Sequence, residues 1–201
     1  MRGATLRLFI LVAVIAHGTA ACIGGRASPD TQHYVLNPVI QVPSGGSRSP
    51  AVALVVGVGP ISLPAYLDRP QLVMRSAPDR LDVREFAQWG EPLRDAVTRV
   101  IAVNLGHLLP DSRVVTFPWR SAEKIRYQVI LDIEQMDGPA GDTVALDARR
   151  CILDRSGSEV AARVSREPAG SGTTAAAMSR ALGALSRDIA RELGAIERSR
   201  P

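Results

Sequence analysis

Arg126-Tyr127-Gln128-Val129-Ile130-Leu131-Asp132-Ile133-Glu134 decides the fold class. Strand side chains alternate between two faces. Tyr127, Val129, Leu131 and Ile133 therefore fall on one side, and Gln128, Asp132 and Glu134 on the other, as in a half-buried strand. Working outward, the turn Asp137-Gly138-Pro139-Ala140-Gly141-Asp142 leads into an extended segment at 143–153. Asp154-Arg155-Ser156-Gly157 then turns it into another at 159–166. Three such segments in succession predict an antiparallel meander.

Helices flank the meander. Residues 91–109 place Leu93, Val97, Val100, Ile101, Leu105 and Leu108 on one helical face, the apolar stripe of a core-facing helix. Gly90 is placed to cap it, Pro92 fits its first turn, and Pro110 stops it. A second helix is expected to start at a Thr173 or Thr174 cap and run to about Ile196. Met178, Leu182, Leu185, Ile189 and Leu193 form its apolar face. Upstream, the valine-rich residues 51–58 read as a buried strand. Residues 71–75 and 80–83 read as a hairpin through Ser76-Ala77-Pro78-Asp79. Tyr34-Val35-Leu36 and residues 113–117 read as short strands, and residues 43–50 as a flexible stretch. The sum is α+β: a single domain, with a mixed or antiparallel sheet packed by two amphipathic helices.

Residues 1–21 read as an export address. Arg2 and Arg7 supply a positive start to the nine-residue apolar run 8–16. A membrane span needs about 20 residues, so the run is too short for one. Thr19, Ala20, Ala21 and then Cys22 follow. Small residues and a cysteine after such a run resemble the bacterial lipobox, in which the thiol is acylated and the signal is cut before it. The pattern usually carries leucine where Thr19 stands. An ordinary secretory signal cut near Ala20 or Ala21 is the competing reading. Ile23, where the inner-membrane retention signal would be Asp, matches outer-membrane sorting. Residues 22–33 then form a polar tether and residues 34–198 the folded domain. Loss of Arg2 and Arg7 lowers the formal charge from +4 to +2.

Scarcity limits the chemistry. Two cysteines among 201 residues cannot make a disulfide framework or a Cys-rich zinc site. Basic residues are spread along the chain and aromatics are only 4%, which is unlike a nucleic-acid-binding surface. There is no phosphate loop, nucleophile elbow or HExxH motif. No catalytic residue, metal or cofactor is expected. His33 falls in the tether and His107 near a helix end. Asp132, Glu134 and Asp137 cluster on one strand and its turn, Asp132 and Glu134 being expected on a shared solvated face, Arg149 and Arg150 as solvated charges on opposite faces, and Cys151 as a buried small hydrophobe. Residues 61–75 stand apart, because Pro64 and Pro70 flank a stretch that is neither strand nor helix. Two readings stand: an exposed apolar interface, or a loop anchored in the core by Tyr66 and Leu67.

Several pieces in order resemble a known family. After Cys22 come Tyr34-Val35-Leu36 and the valine strand running into Gly59-Pro60-Ile61-Ser62-Leu63-Pro64. Ala65-Tyr66-Leu67-Asp68-Arg69-Pro70-Gln71-Leu72-Val73-Met74-Arg75 continues it. Glu85-Phe86-Ala87-Gln88-Trp89-Gly90-Glu91-Pro92-Leu93 opens the first helix, and Val115-Thr116-Phe117-Pro118-Trp119 follows. Over residues 34–196 the chain resembles the auxiliary lipoproteins of ABC-type transport systems, the PqiC-like membrane-integrity lipoproteins. The resemblance implies a non-enzymatic subunit that faces the periplasm. It would be lipidated at Cys22 and held in the outer membrane, with a soluble periplasmic protein as the alternative. Implied partners are an Mce-domain protein and inner-membrane transporter components of a lipid conduit, possible assembly being a homo-oligomeric ring. The partner interface is expected at Pro64, Tyr66, Leu67, Asp68, Arg69, Pro70 and Trp89. A periplasmic carrier holding an acyl chain between sheet and helices is the alternative function, and an envelope hydrolase a third.

Overall fold

The computed structural model describes residues 29–41, 54–120, 123–139, 143–169 and 173–199. The export address, Cys22, most of the tether and residues 43–50 lie outside the described residues. Thr31–Pro201 is one compact unit.

The meander forms as its alternation predicts. β6 (Tyr127–Asp137), β7 (Val144–Asp154) and β8 (Glu159–Ala169) pair antiparallel. β2 (Leu54–Ser62) and β5 (Ser112–Thr116) extend this sheet in the order β5-β2-β6-β7-β8. β2 runs parallel to both of its neighbours. Gly59 adopts φ 115° where the β2–β6 register shifts, a conformation glycine enters without steric cost. A second sheet of three strands has the order β1-β4-β3, from β1 (Gln32–Tyr34), β3 (Gln71–Ala77) and β4 (Arg80–Trp89). The predicted hairpin is β3–β4.

α1 (Leu93–Leu108) and α2 (Thr174–Arg198) bury their apolar faces against the larger sheet. Tyr127, Val129, Leu146 and Ile152 of the strands meet Val97, Ile101, Met178, Leu185 and Ile189 of the helices, and all are fully buried. Thr173 caps α2 by accepting from the Ala176 amide at 3.3 Å.

Four local expectations are corrected. β4 continues through Trp89, because its end pairs with β1 and the Trp89 amide donates to the Pro70 carbonyl at 2.7 Å. Residues 85–89 are therefore strand and do not open α1. Gly90 leaves that strand, donating to the Tyr34 carbonyl, and Pro92 is the residue at the α1 cap. The early strand spans Gln32–Tyr34, with Val35 half exposed and Leu36 buried. His33 lies in this strand, so pairing begins within the segment read as tether.

Past β1 the chain crosses both helices as a strap. Arg99 donates to the Leu36 carbonyl (2.9 Å), and the Asn37 amide donates to Ser179 Oγ (3.1 Å). Asn104 Oδ1 accepts from the amides of Val39 and Ile40, each at 3.2 Å. His107 Nδ1 lies 2.6 Å from the Ile40 carbonyl oxygen. That oxygen carries no proton, so the ring nitrogen is the donor. Gly183 of α2 lies under Val39, where a Cβ would collide with the valine side chain.

Candidate functional site

Residues between β2 and β3 form a tight turn. The amides of Leu67 and Asp68 both donate to the Pro64 carbonyl, at 2.9 and 3.2 Å. Leu67 is 1% exposed and Trp89 7%, so both side chains belong to the core. Asp68, Arg69 and Pro70 remain exposed. Asp68 pairs with Arg94 of α1, and Arg69 Nε donates to Gln71 Oε1 at 3.2 Å. With Trp89, Gly90 and Glu91 they line an open cleft of about 370 Å³. The structure thus gathers four of the residues singled out in the sequence, Asp68, Arg69, Pro70 and Trp89. Leu67 and Tyr66 hold the turn from beneath, while Pro64 supplies its carbonyl.

Asp137 is the fastening beneath that turn. It closes β6 at the turn, and its side chain is fully buried. Tyr66 donates its hydroxyl to Oδ2 at 2.7 Å. Arg75 donates Nε to Oδ1 at 2.7 Å and Nη2 to Oδ2 at 3.1 Å, and Gln135 Nε2 donates to Oδ1 at 2.9 Å. The Arg75 guanidinium also lies 5.9 Å from the Tyr66 ring centroid. These partners come from the turn, β3 and β6, and two of them, Tyr66 and Arg75, lie more than sixty residues from Asp137 in sequence. A buried carboxylate needs such partners, because an unpaired one is costly to take out of water.

Burial, then the hydrogen bond to Asp137, push the Tyr66 phenol up to about 12. Unfolded tyrosine titrates near 10. The folded state therefore keeps the proton longer, and the stabilisation is whole below pH 10 and lost as pH climbs to about 12. Tyr66→Phe is expected to remove this part of the alkaline decline in urea-unfolding stability. A wild-type pH profile in the variant would refute the coupling.

The other charged candidates resolve into structural roles. Asp132 and Glu134 are exposed, as expected, and Arg149 reaches both, at 3.7 and 2.7 Å. Arg150 points the opposite way, but it is buried to 9% exposure instead of solvated, because Glu192 of α2 pairs with it at 2.9 Å. Cys151 is half-buried on the face away from the helices, and its Sγ lies 3.3 Å from Glu159 Oε2. The expected core position is corrected: odd positions of β7 face outward there. Burial and the Glu159 carboxylate push this thiol up, away from the thiolate form that reacts. Among the described residues, no three His, Cys, Asp or Glu side chains gather at metal-binding distance. No helix among them is long and apolar enough to cross a membrane.

The model of the ABC-type transport auxiliary lipoprotein component family matches residues 34–190. No curated protein matches the chain. Among solved structures, an uncharacterised protein aligns at TM-score 0.66 and 16% identity, over 82% of this chain and 99% of its own. Protein XCC0632 from Xanthomonas campestris aligns at TM-score 0.57 and 18% identity, over 80% of this chain and 93% of its own. At these identities the likeness concerns the fold.

Proposed function

The chain belongs to the ABC-type transport auxiliary lipoprotein component family, and from that premise we propose that it is a docking subunit of an Mce-type intermembrane lipid transport system. In this reading Cys22 is acylated, the signal is removed, and the domain faces the periplasm from the outer membrane. An Mce-domain protein and the inner-membrane transporter components are its partners. Acyl chains give durable attachment at about 0.8 kcal/mol per buried CH2. Anchored in this way, the domain meets its partner at raised effective concentration.

The observation that carries the docking role is the turn at Pro64–Pro70. Its apolar residue Leu67 is committed to the core, while Asp68, Arg69 and Pro70 face outward on the cleft. Such a surface is rigid from behind and polar in front. Rigid surfaces lose little entropy on binding, which suits them to recognition. The docking reading is favoured over the acyl-chain carrier by the packing between sheet and helices. There Tyr127, Met136, Ile152 and Met178 are all at 0% exposure, and close-packed interiors hold few voids.

Reversing both charges, Asp68→Arg with Arg69→Glu, is expected to lower co-purification with the Mce-domain partner about tenfold, equivalent to ~1.4 kcal/mol. Circular dichroism would verify that the variant is folded. Full recovery of the partner with a folded double variant would remove the turn from the interface. Failure of the wild-type chain to recover any transporter component would sink the docking reading itself.

A further inference from the structure

We propose that the open pocket beside Trp119 binds the phosphate headgroup of an anionic phospholipid. The lipid as source of the phosphate rests on the transport reading above. Three loops build the pocket. The one after β5 carries Trp119, the one before β6 carries Lys124 and Ile125, and the β7–β8 turn carries Asp154 and Arg155. Pairing of Tyr127 with Asp154 brings the last two loops together although they are distant in sequence. The pocket has a volume of about 560 Å³, within the range of small-molecule sites. Trp119 is seated there by Gly57. Val56 and Val58 point into the core, so Gly57 between them faces the side of the sheet away from the helices. Glycine inside a strand weakens it and marks a close approach. A Cβ at Gly57 would stand 2.9 Å from the indole Cζ3 and 3.3 Å from Ile125 Cγ2. The ring thus lies against the β2 backbone, half-buried, and Phe117 meets it edge-on with the ring centres 5.3 Å apart.

Charge chooses the ligand. Lys124 and Arg155 are exposed and meet no carboxylate among the described residues, whereas Arg84, Arg94, Arg99, Arg113 and Arg149 each do. The two acids at the pocket are already engaged. Glu123 pairs with Arg113 at 2.7 Å. Asp154 Oδ1 accepts from the Ser156 amide at 2.8 Å, the Ser156 hydroxyl at 2.6 Å and the Ser158 amide at 3.2 Å. An entering anion therefore meets two cations that give up no partner to receive it. Arginine offers phosphate a planar fork of donors, and lysine a compact point charge. Basic pockets are a recurrent way of holding lipid headgroups. The apolar wall separates the two sources of phosphate. A free phosphate ion would use the cations and leave the indole and Ile125 without a role. A phospholipid uses both, because tryptophan suits a boundary with one wet end and one apolar end.

The test is calorimetric titration of the full chain, as purified from the cell envelope, with three probes. These are dihexanoyl phosphatidylglycerol, dihexanoyl phosphatidylcholine and inorganic phosphate, each corrected by a titration into buffer alone. Saturable binding of the phosphatidylglycerol is expected, with the phosphatidylcholine and inorganic phosphate each at least tenfold weaker. The double variant Lys124→Gln with Arg155→Gln changes only exposed side chains. It should stay folded by circular dichroism and bind phosphatidylglycerol about tenfold more weakly. Trp119→Leu should weaken it several-fold and leave any binding of inorganic phosphate unchanged. Absence of saturable phosphatidylglycerol binding to the wild type would overturn the proposal. So would equal affinity for the two lipids, or full affinity in the folded double variant. Inorganic phosphate binding as tightly as the lipid would make the site one for the free ion, and would overturn the headgroup assignment. None of these readouts uses a transporter component. Loss of the docking reading would therefore show in the co-purification alone, and loss of this inference in the titrations alone.

Discussion

Replacing Asp137 by leucine is expected to destabilise the fold by about 3–5 kcal/mol, the usual cost of removing one member of a buried ion pair. The Tyr66 hydroxyl, Arg75 and Gln135 all lose their acceptor. Arg75 retains 26% side-chain exposure and can turn its charge partly to water, so the cost belongs near the lower end of that range. Asp137→Asn keeps the shape and one carbonyl acceptor, and should cost about 1–3 kcal/mol. Urea unfolding followed by circular dichroism would give both values. Equal losses for the two variants would mean that shape, and not charge, carries the network. The consequence for function is local. Tyr66 belongs to the turn that bears Asp68 and Arg69, and its hydroxyl is a side-chain tie between that turn and β6. Hydrogen exchange at the Leu67 and Asp68 amides, both bonded to the Pro64 carbonyl, should quicken in the leucine variant. Unchanged protection there would show that the turn holds itself without Asp137.

How much of this was legible in the sequence depends on the range of the interaction. The meander was readable because alternation in residues 127–133 is a local consequence of burying one face, and β6–β8 pair through adjacent turns. The two amphipathic helices were readable for the same reason, at a period of 3.6. Parallel pairing of β2 with β5 and β6 was not, because a fully apolar valine run specifies burial but no neighbour. Trp89 misled for a related reason. Glu91-Pro92 looked like the approach to a helix, whereas a partner strand more than fifty residues earlier holds residues 87–89 extended. The turn at Pro64–Pro70 was visible as an irregular segment with two prolines, and two readings of it were left open. The structure divides them by residue: Leu67 goes to the core, and Asp68 and Arg69 go to the surface. Asp137 could not be read correctly from its position. A carboxylate at a strand end beside glycine and proline looks solvated until Tyr66 and Arg75, both more than sixty residues away, are seen to converge on it.

Asn104→Leu should cost about 2–4 kcal/mol, through a different mechanism. Asparagine is a poor helix former, because its amide competes for backbone hydrogen bonds. In mid-α1 it is nevertheless fully buried, with its oxygen turned to the amides of Val39 and Ile40 and its nitrogen 3.4 Å from Ser186 Oγ. It therefore joins the strap and both helices in one network. Leucine keeps the same branched skeleton, so the change is chiefly one of polarity, with slightly bulkier methyl groups in place of the amide. What it removes is the acceptor for two backbone donors, each costing about 1–3 kcal/mol when left unmade. Asn104→Asp retains an acceptor oxygen and separates the two contributions. It should keep the strap in place while introducing a buried charge beside the Ser186 hydroxyl and the two amides. If the leucine variant lost less than about 1 kcal/mol, the strap would have to be held by Arg99, Ser179 and His107 instead. The strap continues directly from β1. In Asn104→Leu, exchange should therefore quicken at the Val39 and Ile40 amides before it does at the Gly90 amide, which is bonded to the Tyr34 carbonyl. Loosening in the reverse order would mean that β1, and not the strap, is the weaker attachment of the N-terminal end to the domain.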